Sequence, residues 1–169
     1  MAKRIVSVTT ITPTATADTT DLADATYPCI LQGGSSTQRT NVLEIYMGGQ
    51  AGSSSPTFMV LGRDSQVATG ANSNGTGQND AAMDAATAAL AAAVLTGNTN
   101  ATNKPQRSST LKLLNLSFNA FGGIIRWVAA PGEEISIVGA TASLGEVSLS
   151  AFTGGTAGLM GVHLIYETL

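Results

Sequence analysis

The chain has 169 residues, enough for one domain that buries most of its apolar surface without disulfides or metals. Hydrophobic residues make up 43% of it and charged residues only 11%, against about a quarter in ordinary soluble domains. Eight Lys and Arg against eleven Asp and Glu leave a net charge of −3 and no basic excess to neutralise phosphates, which argues against direct nucleic-acid binding. A surface poor in Lys and Glu is instead what extensive subunit interfaces present, so the composition points to assembly.

The first strand is predicted over Arg4 to Thr12. Lys3 and Arg4 precede Ile5-Val6, but Ser7, Thr9 and Thr10 follow at once, so no apolar core of a signal peptide forms and synthesis in the cytoplasm is expected. Residues 1–26, the first strand with a polar Thr/Ala-rich stretch behind it, read as an extended N-terminal arm that orders on a neighbour, or as a disordered terminus. Residues 27–169 read as a β-sandwich domain with an insertion at about 70–109.

Within that domain, Tyr27 to Gln32, Asn41 to Met47 and Thr57 to Leu61 are rich in β-branched and apolar residues and are bounded by Gly, Ser or Pro, as strands are. Cys29, the only cysteine, sits beside Ile30 and Leu31 as a small buried hydrophobe, and its solitude excludes an internal disulfide and a Cys-based zinc cluster. The insertion opens on the Gly/Asn/Ser-rich stretch 70–79. Asp80 then caps a predicted helix from Ala81 to about Leu95, closed by Gly97, with Met83, Ala86, Leu90 and Val94 on one face. The alternative is an Ala-rich loop packed against a neighbour. Either way the apolar run falls short of the ~20 residues that cross a bilayer, so no membrane span is expected. Residues 98–109 return as a polar loop.

Five further strands are predicted: Thr110 to Phe118, Gly123 to Ala129, Glu134 to Val138, Gly145 to Phe152 and Gly158 to Glu167. Pro131-Gly132 presets a turn and is expected to join the second and third of these as a hairpin. In the last run Met160, Val162, Leu164 and Tyr166 recur on one face, with Gly161, His163 and Glu167 on the other. Many short antiparallel strands with regular breaks predict an all-β antiparallel β-sandwich or jelly roll carrying one long inserted loop or short helix.

A search for chemistry finds little. His163 is the only histidine, so a catalytic triad or a His-ligated metal would have to be built around it; a surface or interface histidine is the simpler reading. No nucleophile elbow, phosphate loop or zinc-binding helix motif is present. Asp18, Asp21 and Asp24 have spacing that suits a calcium site or a solvated turn. Adjacent Glu133 and Glu134 point to opposite faces if on a strand and so do not pair. Trp127, with Tyr27, Tyr46 and Tyr166, raises sugar stacking, although the apolar run around Trp127 favours core or interface. No catalytic, cofactor-binding or metal-binding residue is assigned.

The segment from Gly122 to Gly139, GGIIRWVAAPGEEISIVG, and the final strand through Gly161-Val-His-Leu-Ile-Tyr-Glu167 resemble the small β-sandwich cement or decoration proteins of tailed-bacteriophage heads. The likeness covers mainly the C-terminal third. It implies a homo-oligomer, a trimer favoured, on the outside of the virion capsid, clamping neighbouring major capsid proteins against internal DNA pressure, with no catalysis. A jelly-roll coat subunit, or a fibre or receptor-binding virion protein, is the alternative expectation; an enzyme or a cellular sugar-binding module is a third.

Overall fold

The computed structural model describes residues 4–12, 29–33, 37, 39–67, 80–83, 95–97, 106–139, 145–151 and 160–169. Among them the ordered elements are all strands: β1 (Arg4–Thr12), β2 (Cys29–Gln32), β3 (Arg39–Gly49), β4 (Pro56–Gln66), β5 (Asp80–Ala82), β6 (Leu95–Gly97), β7 (Gln106–Asn119), β8 (Ile124–Val128), β9 (Ile135–Val138), β10 (Glu146–Ala151) and β11 (Met160–Thr168). Each of the nine strands predicted above overlaps one of these. The strands form two antiparallel sheets. The first runs β5-β1-β11-β3-β8, with β9 also on β3, and the second runs β6-β2-β10-β4-β7.

Pairing is nested: β1 with β11, β2 with β10, β3 with β8 and β9, and β4 with β7. A long antiparallel ribbon folded over on itself has this pattern. With the insertion strands β5 and β6 set aside, successive strands alternate between sheets except at β4 and β7, which pair with each other, and at β8 and β9, which share β3. With β8 and β9 counted as one interrupted strand and β5 and β6 left out, the remaining eight follow the strand order of a jelly roll, the sandwich built of two Greek keys.

The core is the apolar face of each sheet laid against the other. Leu31, Met59, Leu61, Leu116, Val147 and Leu149 come from the second sheet; Val42, Ile45, Met47, Ile137, Val162, Leu164 and Tyr166 come from the first. The alternation read in the last strand holds for Val162, Leu164 and Tyr166, which are buried, and for Gly161 and His163, which are half-buried; Glu167, expected on the wetter face, is buried instead, and the Met160 side chain lies outside the described residues. Each such Leu, Ile or Val contributes roughly 1.5–3 kcal/mol by leaving water.

The pairing of β11 with β3 shifts register once. Ile165 pairs Glu44 but Tyr166 pairs Val42, so Leu43 is an extra residue in β3, a β-bulge. Beyond the bulge Glu167, on the same face of β11 as His163, is nonetheless buried, its Oε1 accepting from Asn41 Nδ2 at 3.0 Å. Asn41 Oδ1 in turn accepts from Ser136 Oγ at 2.6 Å. Arg63 of β4 donates from Nη2 to the Ser136 carbonyl at 2.9 Å, tying the two sheets together at this end.

Two expectations are corrected. The turn at Pro131-Gly132 exists: Gly132 has φ 85° and Glu133 N donates to Ala130 O at 2.9 Å. It does not close a hairpin. β8 and β9 both pair antiparallel to β3, β8 along Glu44–Gly48 and β9 along Arg39–Val42. They are two pieces of one line, interrupted by the excursion 129–134 opposite Leu43. Both pieces keep an apolar face on the core this way, with Ile125, Trp127, Ile135 and Ile137 packed there, which a two-stranded hairpin standing off the sheet would forfeit.

The predicted helix over Ala81 to Leu95 fails at both described ends. Asp80–Ala82 pairs β1, with Asp80 opposite Val8, and Leu95–Gly97 pairs β2. Asp80 is therefore a strand residue and not a helix cap. Covering the open edges of β1 and β2 satisfies backbone groups that would otherwise be exposed, and this outweighs alanine's weak preference for helix. The helix interior, the arm beyond Thr12, Asp18, Asp21, Asp24 and Tyr27 lie outside the described residues. No helix among the described residues is long and apolar enough to cross a membrane.

Candidate functional site: a groove on the outer face of the first sheet

Period-two alternation that sends Met47, Val162 and Ile125 inward sends their neighbours outward. The register lines these up in rows across the strands. His163, Tyr46 and Arg126 make one row, Gly161, Gly48 and Ile124 the next, and Ile165, Glu44 and Val128 lie on the other side. Because the Gly161-Gly48-Ile124 row has two glycines, the sheet is bare there. A Cβ built on Gly48 or Gly161 would meet nothing within 4 Å, so neither glycine is demanded by packing.

The bare row is the floor of a groove of about 570 Å³. Tyr46, His163 and Glu44 stand along one side, and Gln50, Ile124 and the Gly122-Gly123 turn along the other. That turn is rigidly placed. Asn119 Oδ1 accepts from Ser55 N at 2.9 Å and Phe121 N at 3.0 Å, and its Nδ2 donates to Ser54 Oγ at 2.9 Å. Gly123 N donates to Asn119 O at 2.8 Å, and Gly49 N donates to Gly123 O at 3.0 Å. Gly122 takes φ 71°, a conformation side chains disfavour.

The charges beside the groove cancel. Arg126 grips Glu44 with Nε on Oε1 at 2.6 Å and Nη2 on Oε2 at 3.1 Å. The hydrogen bond from Arg126 and its positive charge outweigh burial and hold the Glu44 carboxyl below its ordinary range, so it is ionised at neutral pH. Around the pair the surface is apolar: Ile124 is 63% exposed, Val128 53% and Tyr46 39%.

The residues singled out in the sequence are dispersed, with one exception. His163 and Tyr46 are cross-strand neighbours in the groove wall. Trp127 packs against the core and Tyr166 is fully buried within it. Of the carboxylates not singled out in the sequence, Asp64 is buried in the second sheet, accepting from Ser148 Oγ at 2.5 Å, and so does not converge with His163 on the outer face of the first. Glu133 lies exposed in the turn, while Glu134 Oε1 accepts from Gly132 N at 3.1 Å. Among the described residues no group of three or more His, Cys, Asp or Glu could hold a metal ion.

Sequence reading missed the glycine floor. Its only signal was glycine inside otherwise regular strands, at 48 and 161, which marks a bulge or a place where something approaches the backbone. No family model, curated protein or solved structure matches the chain.

Proposed function

We propose that this chain is a viral structural protein of the decoration type, which self-associates, a trimer favoured, and binds the outside of a capsid to stabilise contacts between major capsid proteins. The observation that carries the assembly reading is β8. It ends the first sheet, and among the described residues no strand pairs its outer edge. Its burial alternates, with Ile124, Arg126 and Val128 exposed, and its one charge is already neutralised by Glu44 of the same chain. Natural edge strands are usually blunted by unpaired charge, Pro or a cover; an apolar edge left open is suited to strand addition by a partner. The low charge content and the resemblance of Gly122 to Gly139 to phage decoration proteins support the capsid setting.

Light scattering on the purified protein should find an oligomer at micromolar concentration, and Ile124→Lys, which places on the edge a charge whose cross-strand neighbour is Gly48 and not Glu44, should shift it toward monomer without unfolding it. The wild type should co-sediment with particles of the virus that encodes it. A monomeric wild type that also fails to bind particles would sink the proposal. The nested strand order also suits a jelly-roll coat subunit, and electron microscopy separates the two: a coat protein tiles the shell, whereas a decoration protein stands as discrete knobs.

A further inference from the structure

We propose that the groove over Gly48 and Gly161 is a binding site for a neutral pyranose sugar. The volume of about 570 Å³ lies within the roughly 300–1,000 Å³ of small-molecule sites and suits one or two sugar rings. Across the floor, Tyr46 and Gln50 are four residues apart on one chain, about 13 Å at the rise of an extended strand. The glycine row between them exposes flat backbone on which a ring can lie.

The chemistry of the walls selects the class. Pyranoses present C–H faces and a rim of hydroxyls that donate and accept. Tyr46 offers an aromatic face and Ile124 offers methyl groups for the former. Glu44 accepts, while Gln50, His163 and the Tyr46 hydroxyl can each donate and accept, which serves the latter. Arg126 takes one lone pair of each Glu44 oxygen, leaving the others for a ligand, and fixes the carboxylate in place beforehand. An anionic ligand is disfavoured because the cation beside the groove is committed to Glu44. A purely apolar ligand is disfavoured because four polar side chains line the walls.

The two glycines allow a clean test. Since a Cβ at Gly161 meets nothing within 4 Å, Gly161→Val should fill the floor and leave the fold intact, and valine suits a strand. The full chain would be passed over immobilised oligomers of glucose, galactose, mannose and N-acetylglucosamine, with melting temperatures measured for every variant. The expected result is retention on at least one of the four, insensitive to salt. Tyr46→Ala and Gly161→Val should weaken it at least roughly tenfold, about 1.4 kcal/mol, with the melting temperature held. Retention on none of them, retention undiminished by Gly161→Val, or retention abolished by salt overturns the proposal. A Gly161→Val protein that melts early would be replaced by Gly48→Ala, read by the same criteria. Sugar binding is measured on the isolated protein, so its failure leaves the assembly reading standing, and the reverse holds too.

Discussion

Gly48 and Gly49 are adjacent in β3, yet replacing each by alanine should have opposite effects. A Cβ on Gly49 would lie 2.1 Å from Ala120 O, 2.2 Å from its Cα and 2.4 Å from its C, all backbone atoms that no side-chain rotation can move. Relief requires the Ala120 turn to retreat by roughly 1 Å, since carbon contacts are optimal only near 3.5–4.0 Å. Three backbone hydrogen bonds hold that turn: Gly49 N to Gly123 O at 3.0 Å, Ala51 N to Ala120 O at 2.8 Å and Ala120 N to Ser55 O at 2.8 Å. Overpacking costs about 1–3 kcal/mol, and each hydrogen bond lost about 0.5–1.5 more, so Gly49→Ala should lose about 2–5 kcal/mol. That is a large part of the roughly 5–15 kcal/mol of an ordinary domain. Gly48→Ala meets open space and removes freedom from the unfolded chain, so it should be stabilised by about 0.4–1 kcal/mol. Urea titration followed by the fluorescence of Trp127, the only tryptophan, would measure both. A Gly49→Ala protein within about 0.5 kcal/mol of wild type, or a Gly48→Ala protein equally damaged, would refute the packing at the groove's rear wall.

Leu164, 1% exposed at the centre of the core, should cost about 2–5 kcal/mol when changed to Ala in the same titration, whereas Ile124→Ala, at a site 63% exposed, should stay within about 0.5 kcal/mol. Glu44→Gln tests the ion pair through pH. Because Arg126 makes the folded carboxyl more acidic than the unfolded one, near 4.3, protons bind the unfolded chain preferentially. The pair's contribution is therefore complete above about pH 4.3 and disappears as pH falls through the lower folded value. Wild type should exceed Glu44→Gln in stability at neutral pH, and the two curves should converge in acid; the gap should also narrow in high salt, since Arg126 is largely exposed. A gap that persists in acid would mean Glu44 acts by packing and not by charge.

Strand positions and faces were legible in the sequence because they are written locally. Val162, Leu164 and Tyr166 recur every second residue, and any sheet that buries one of them buries all three. The turn at Pro131-Gly132 was legible for a similar reason, since proline's fixed φ and glycine's positive φ are properties of those two residues alone. Alanine richness over 81–95 misled, because propensity is a weak local preference that an open sheet edge overrides at Asp80–Ala82 and Leu95–Gly97.

Composition and period by themselves determined an all-β antiparallel sandwich, poor in charge, with named core faces. Tertiary structure alone decided which strand lies beside which: that β8 and β9 share β3 instead of pairing with each other, and that β11 sets Gly161 against Gly48 and His163 against Tyr46. Partners in a jelly roll are nested, so residues far apart in the chain meet, and their meeting is settled by the competition of all strands for one core. The groove exists only in that pairing, as the row of sheet where two distant glycines coincide.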